Sequence, residues 1–144
     1  MPSPRSLFLL FVLVFGQALP AAAQDNAPKA DKSGIVKVIQ GQLAAFQADR
    51  AADAFSYASP GIQAMFGTPD RFMEMVRGGY MPVYRPREVQ FLDLVVEGGR
   101  LAQRVLLVGP DGLPVVAWYF MEKQADGAWR IDGVELRGSE DRTT

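Results

Sequence analysis

The chain predicts an α+β domain with one core: brief amphipathic helices in its first half and a four-stranded antiparallel meander in its second. Two observations carry this. Apolar residues recur every three to four positions up to about residue 78, and from Glu88 onward four runs rich in branched and aromatic residues alternate with Gly- and Asp-containing turns. A third sets its terms. With no cysteine, the fold has to be held by packing of the apolar residues that make up 49% of the 144-residue chain.

The first residues read as a secretory signal, with Arg5 as the positive start and residues 7–15 (LFLLFVLVF) as the apolar run. Ala21-Ala22-Ala23 supplies the small-residue cleavage pattern, so residues 1–23 are expected to be removed. Gln17 and Pro20 interrupt the apolar stretch before it reaches the roughly 20 residues of a membrane span. The expected destination is therefore the periplasm or the exterior, with no membrane attachment after cleavage. Residues 24–33, polar and broken by Pro28, read as a flexible leader, residues 34–138 as the folded domain, and residues 139–144 as a disordered tail.

Losing Arg5 with the signal leaves 14 basic residues against 16 acidic ones, a net charge of −2 with the signs interspersed, which does not suit a nucleic-acid partner. The chain has no histidine. Ser-His-Asp and Cys-His catalysis are thereby excluded, and no cofactor or metal motif is present. An enzyme on this chain would have to use carboxylate, tyrosine, lysine or arginine with pKa values tuned by burial.

Within the domain, Ile35, Ile39, Leu43 and Phe46 form one buried helix face, capped by Asp31 or Ser33, with Lys37, Gln40, Gln42 and Gln47 largely on the other side. Residues 51–58 read as a second short helix. Ser59-Pro60 and Thr68-Pro69 each combine a capping side chain with proline at the first helical position, starting helices that stop at Gly67 and at Gly78-Gly79. The connector over residues 80–86 (YMPVYRP) holds two prolines and is expected to be extended and stiff. Strands follow over residues 88–97, 101–108, 115–122 and 129–136. Their turns are Gly98-Gly99, the 109–112 segment and Asp126-Gly127, and Gly133 marks a bulge or bend. The first strand carries Val89, Phe91 and Val95 on one face and Leu92, Leu94 and Val96 on the other. Both sheet faces are therefore apolar, and the one not covered by helices calls for a partner, added chain segments or a ligand.

The stretches AFSYASPGIQAMFG (54–67), MVRGGYMPVYRP (75–86) and DGAWRIDGVEL (126–136), in this order and spacing, resemble the DUF4864 family of exported bacterial proteins. That resemblance covers about residues 35–136 and implies an NTF2-like, cystatin-like cone, with helices packed on a curved sheet. It implies no activity, because the family is one of unknown function.

Candidate ligand-binding residues are Tyr80, Tyr84 and Arg85 on the stiff connector, and Arg104 with Trp118, which fall on one face if the second and third strands pair across the 109–112 turn. The ordinary alternatives are that the tyrosines seal the core end, that Arg85 pairs with a surface carboxylate, and that Arg104 pairs with Glu122, Asp132 or Asp93. Asp49 and Asp53 read as capping groups, and Met65, Met73, Met75 and Met81 as core filler or the lining of an adaptable pocket. The leading expectation is a non-catalytic domain binding a small apolar ligand or a protein, including a second copy of itself through the sheet. The alternative is a cofactor-free isomerase or dehydratase using a buried carboxylate or tyrosine in the cone. Expressed with its own N-terminus in a bacterial host, the exported protein is expected to begin at Gln24, read as an intact mass lacking residues 1–23; retention of those residues would refute cleavage.

Overall fold

The computed structural model describes residues 21–139, with side chains from Asp31 onward. Five helices, α1 (Ala21–Gln47), α2 (Ala51–Ser56), α3 (Pro60–Phe66), α4 (Pro69–Gly79) and α5 (Met81–Tyr84), precede four strands. The strands are β1 (Glu88–Glu97), β2 (Arg100–Val108), β3 (Pro114–Lys123) and β4 (Trp129–Gly138), and they pair in the order β1-β2-β3-β4, all antiparallel. This is an α+β fold with helices on one face of an open meander, consistent with an NTF2-like cone.

Two expectations about helices are corrected. Helix α1 is described over Ala21–Gln47, so residues 24–33, expected as a flexible leader, lie within a helix, and neither Asp31 nor Ser33 is a cap. Asp31 instead pairs with Lys123 at 3.6 Å. The connector after Tyr80 is a helical turn, since Pro82 sits in its first turn, where its missing N–H is no loss. The turn ends at Arg85, φ −139°, because the next residue is Pro86. Most of the signal segment (1–20) and of the tail (140–144) lies outside the described residues.

Helix α1 lays Ile35, Ile39, Leu43 and Phe46 against the sheet, and all four are buried. Gln42 is buried with them, contrary to its expected place on the wet side, because it stands three residues after Ile39 and four before Phe46, on the same stripe. The helix-facing side of the sheet contributes Val105 and Leu107 from β2, Ala117, Tyr119 and Met121 from β3, and Ile131 from β4. Ser59 and Thr68 cap as expected, accepting from the Ile62 and Arg71 amides.

Each outer strand carries a bulge. In β1 the register slips between Phe91 and Leu94, so Val95 lies opposite Ala102 while Phe91 lies opposite Val105. Val89, Phe91, Leu94 and Val96 thus share the helix side and Val95 the outer side, which corrects the simple alternation. The buried Gln103 amide satisfies the bulge by donating to the Leu92 carbonyl at 3.0 Å. In β4 the slip falls beside Gly133 and leaves Asp132 unpaired in the ladder. Asp132 there accepts from the Ser59 hydroxyl at 2.7 Å, and the Ser59 amide bonds the Ile131 carbonyl, fastening the start of α3 to the sheet.

The outer face of the sheet is covered from within the chain. Ala102, Val116 and Phe120 there are at most 4% exposed. Arg100 lies 4.1 Å over the Phe120 ring, and Arg137 and Arg104 lie 3.9 and 5.5 Å from the Trp118 ring. Arg137 reaches from β4 to Glu97 of β1 at 2.7 and 3.1 Å and also pairs with Glu135. Arginine stems bury apolar surface while their heads remain solvated, so this face is not bare.

Glycine positions give a paired test of the packing. A methyl group at Gly41, mid-α1, would stand 2.5 Å from the Tyr57 hydroxyl, whereas at Gly78 in α4 nothing lies within 4 Å. Gly41→Ala is expected to destabilise by about 1–3 kcal/mol through overpacking, and Gly78→Ala to stabilise by roughly 0.4–1 kcal/mol. Urea unfolding of both variants checks this, and a stabilising Gly41→Ala would show that Tyr57 does not pack on α1.

Candidate functional site

A cavity of about 320 Å³ lies between the helices and β4. Its floor is Gln42 and Phe46 of α1 with Gly133 and Val134 of β4, and its walls are Phe72, Met75 and Val76 of α4, then Tyr80 and Val83. Ile62, Met65 and Phe66 of α3 complete it. The space arises from local punctuation. Helix α3 is two turns long, buries none of its residues fully, and is cut from α4 by Gly67 at φ 79°, so it covers the cavity without filling it. Met65, 73% exposed, stands at its rim.

Phe72 organises the wall, with its ring centroid 6.0 Å from Phe46, 5.5 Å from Phe55 and 5.8 Å from Phe66. The lining holds no acidic or basic residue, and its polar side chains are Gln42 and Tyr80. Gln42, 2% exposed, donates Nε2 to the Ala54 carbonyl at 3.1 Å. No group of three or more Asp or Glu residues that could hold a metal ion occurs among the described residues.

Of the five candidate ligand-binding residues, this cavity takes Tyr80. Tyr84 and Arg85 sit beside it in an exposed ionic cluster on Asp49. Tyr84 donates to Asp49 Oδ1, and Arg85 pairs with Asp49 Oδ2 at 2.8 Å while stacking 4.0 Å over the Tyr84 ring. Arg85 also donates to the Phe46 carbonyl at the end of α1. Asp49 adopts φ 53°, with the Arg50 amide bonded to the Ala45 carbonyl, the hydrogen bonding of a left-handed helix stop. The cluster therefore seals the end of α1. Arg104 and Trp118 lie directly opposite each other on β2 and β3, on the sheet face away from the cavity, and Arg104 is paired with Asp93 at 2.7 Å.

Among the methionines, Met65 and Met75 line the cavity, Met73 is buried in the core and Met81 is on the surface. Sequence reasoning missed Gln42, Phe46, Ile62, Phe66 and Phe72 as lining residues, because a cavity wall and a closed core show the same periodicity. The usable signal was Gln42, an amide on the apolar stripe of α1.

The Asp49 cluster makes a pH prediction. The hydrogen bond from Tyr84, with Arg85 and Arg77 adding their positive charge, holds the Asp49 carboxyl below its ordinary value of 3.8. A depressed folded-state pKa gives stability that is complete above the unfolded value and is lost as pH falls through the folded one. The stability advantage of the wild type over Asp49→Asn is therefore expected to be constant near neutrality and to shrink below about pH 4. Urea unfolding of both proteins across that range measures it, and an advantage that grows on acidification would contradict the cluster.

A family model described as "Domain of unknown function (DUF4864)" matches residues 28–144. No curated protein and no solved structure matches the chain.

Proposed function

Because the chain belongs to the DUF4864 family, whose description carries no activity, we propose from the geometry that it is an exported binding domain that takes a small apolar molecule into the cavity beneath α3. The observation behind this reading is a charge-free cavity of about 320 Å³ with rings and thioethers on its walls. That volume stands at the lower end of the roughly 300–1,000 Å³ of small-molecule sites, which suits a compact ligand better than a segment of another protein. Export rests on Arg5, the apolar run over residues 7–15 and the small residues Ala21–Ala23.

The alternative, an isomerase or dehydratase, calls for a buried carboxylate or tyrosine in the cone. Tyr80 lines the cavity, but such a site also needs a base beside the substrate, such as a desolvated carboxylate with its pKa raised. No carboxylate lines the cavity, and Asp49, hydrogen-bonded to Tyr84, is exposed with its pKa lowered. Binding is the reading these groups favour. The bare sheet face that motivated a dimer through the sheet is occupied by Arg100, Arg104 and Arg137.

The test uses naphthalene as a ring-shaped probe, titrated into the purified exported protein by calorimetry, beside the variant Ile62→Trp, which fills the cavity from the half-buried α3. Wild type is expected to take up one equivalent, and the variant to bind at least about tenfold more weakly at an unreduced melting temperature. Absence of saturable uptake by wild type, or equal uptake by the variant, would overturn the proposal.

A further inference from the structure

The cavity has one fixed polar feature. The Ala54 carbonyl can only accept a hydrogen bond, so the Gln42 amide is oriented with Nε2 toward Ala54 and Oε1 away from it. Among the described residues, the buried side-chain atoms sealed off without a partner are Gln103 Oε1 and the Tyr119 hydroxyl. Gln42 Oε1 is not one of them, makes no hydrogen bond of its own, and belongs to a residue lining the cavity. An acceptor therefore opens into a space whose other polar side chain is Tyr80 and whose remaining lining is apolar. Water can reach this oxygen in the free protein, so a ligand that displaces the water without supplying a proton leaves the acceptor buried and unpaired, whereas one that donates replaces the lost bond.

The rest of the wall limits what carries the proton. Phe46, Phe66, Phe72 and Tyr80 present aromatic rings, Met65 and Met75 adaptable thioethers, and no cationic side chain is present to neutralise an anion. From these observations we infer that the ligand is a neutral, ring-bearing molecule with a hydroxyl or N–H group, which it donates to Gln42 Oε1 while its ring lies among Phe46, Phe66 and Phe72. This rests on the cavity being the binding site and adds the ligand's class. It ranks carboxylates last, since no cationic side chain lines the cavity to pair with their charge.

The experiment compares four probes on the full exported protein: 2-naphthol, naphthalene, 2-methoxynaphthalene and 2-naphthoate. 2-Methoxynaphthalene keeps the oxygen without its proton. The inference expects 2-naphthol to bind about tenfold or more tightly than naphthalene or 2-methoxynaphthalene, the value of one buried hydrogen bond, with 2-naphthoate weakest. Gln42→Met, which keeps a similar shape but removes the acceptor together with the donor to Ala54, is expected to bring the ratio of 2-naphthol to naphthalene affinity to about one, and an unchanged ratio overturns the inference. Should that variant fail to fold, the wild-type comparison with 2-methoxynaphthalene decides alone. Equal binding of the three neutral probes, or tightest binding of 2-naphthoate, overturns the assigned ligand class and leaves the cavity as a binding site. Failure of all four to bind overturns the site itself.

Discussion

Helix α1 is the element on which the remaining structure is assembled. Its stripe of Ile35, Ile39, Leu43 and Phe46 covers the helix-facing side of the sheet, each side chain contributing about 1.5–3 kcal/mol on burial. With no cysteine and no histidine in the chain, disulfides and histidine-bound metals contribute nothing to holding this layer. The later helices are each too short to be stable alone. They take their places by docking: α2 through the Ala54 carbonyl on Gln42, α4 through Phe72 on Phe46, and α5 through Arg85 on the Phe46 carbonyl. Every one of these anchors is a residue of α1 or its final turn.

The sheet answers with its two bulges. At β4 the extra residue, Asp132, turns its carboxylate to Ser59, so the residue that caps α3 is also the residue that ties α3 to the sheet. At β1 the freed carbonyl of Leu92 is met by Gln103 from below and by Lys32 of α1. Buried carbonyls left by a bulge need such donors. The consequence at the site is direct. Residues 133 and 134, which floor the cavity, follow the Asp132 bulge, and the helix that roofs it begins at the serine this bulge holds.

The fold was largely legible because its signals are local. Proline after a capping hydroxyl at 59–60 and 68–69, and glycines at 98–99, fix element ends without tertiary information, and the observed boundaries agree. What was illegible depended on contacts between distant segments. Gln42 looked exposed by polarity, though its position on the helix stripe is a core position and its partner, Ala54, lies on the next helix. The bulge at 92–93 reversed the facing of Val95, which no count of alternating residues within one strand can detect. The prolines of the connector read as barriers to helix, whereas Pro82 stands in the first turn of one, where no backbone donor is missed. The site suffered most: Tyr84, Arg85, Arg104 and Trp118 attract notice as charged or aromatic residues, but they are engaged with one another or with carboxylates, and the cavity is built from residues that look like ordinary core.

That contrast favours the proposed site beneath α3 over the outer sheet face. On the outer sheet face each aromatic platform is already stacked with a guanidinium, and each of those guanidiniums is paired with a carboxylate, Asp93, Asp132 or Glu97. A ligand entering there would have to displace contacts that are satisfied on both sides. Beneath α3 the reverse holds: the rings of Phe46, Phe66 and Phe72 pack on other rings, and among the described residues no protein donor meets the amide oxygen of Gln42. Binding is favoured where the free protein leaves its groups least satisfied, since less is lost on entry. Among the described residues, arginine covers the aromatic rings of the outer sheet face, whereas the cavity on the other side keeps its rings and one amide oxygen open to an entering molecule.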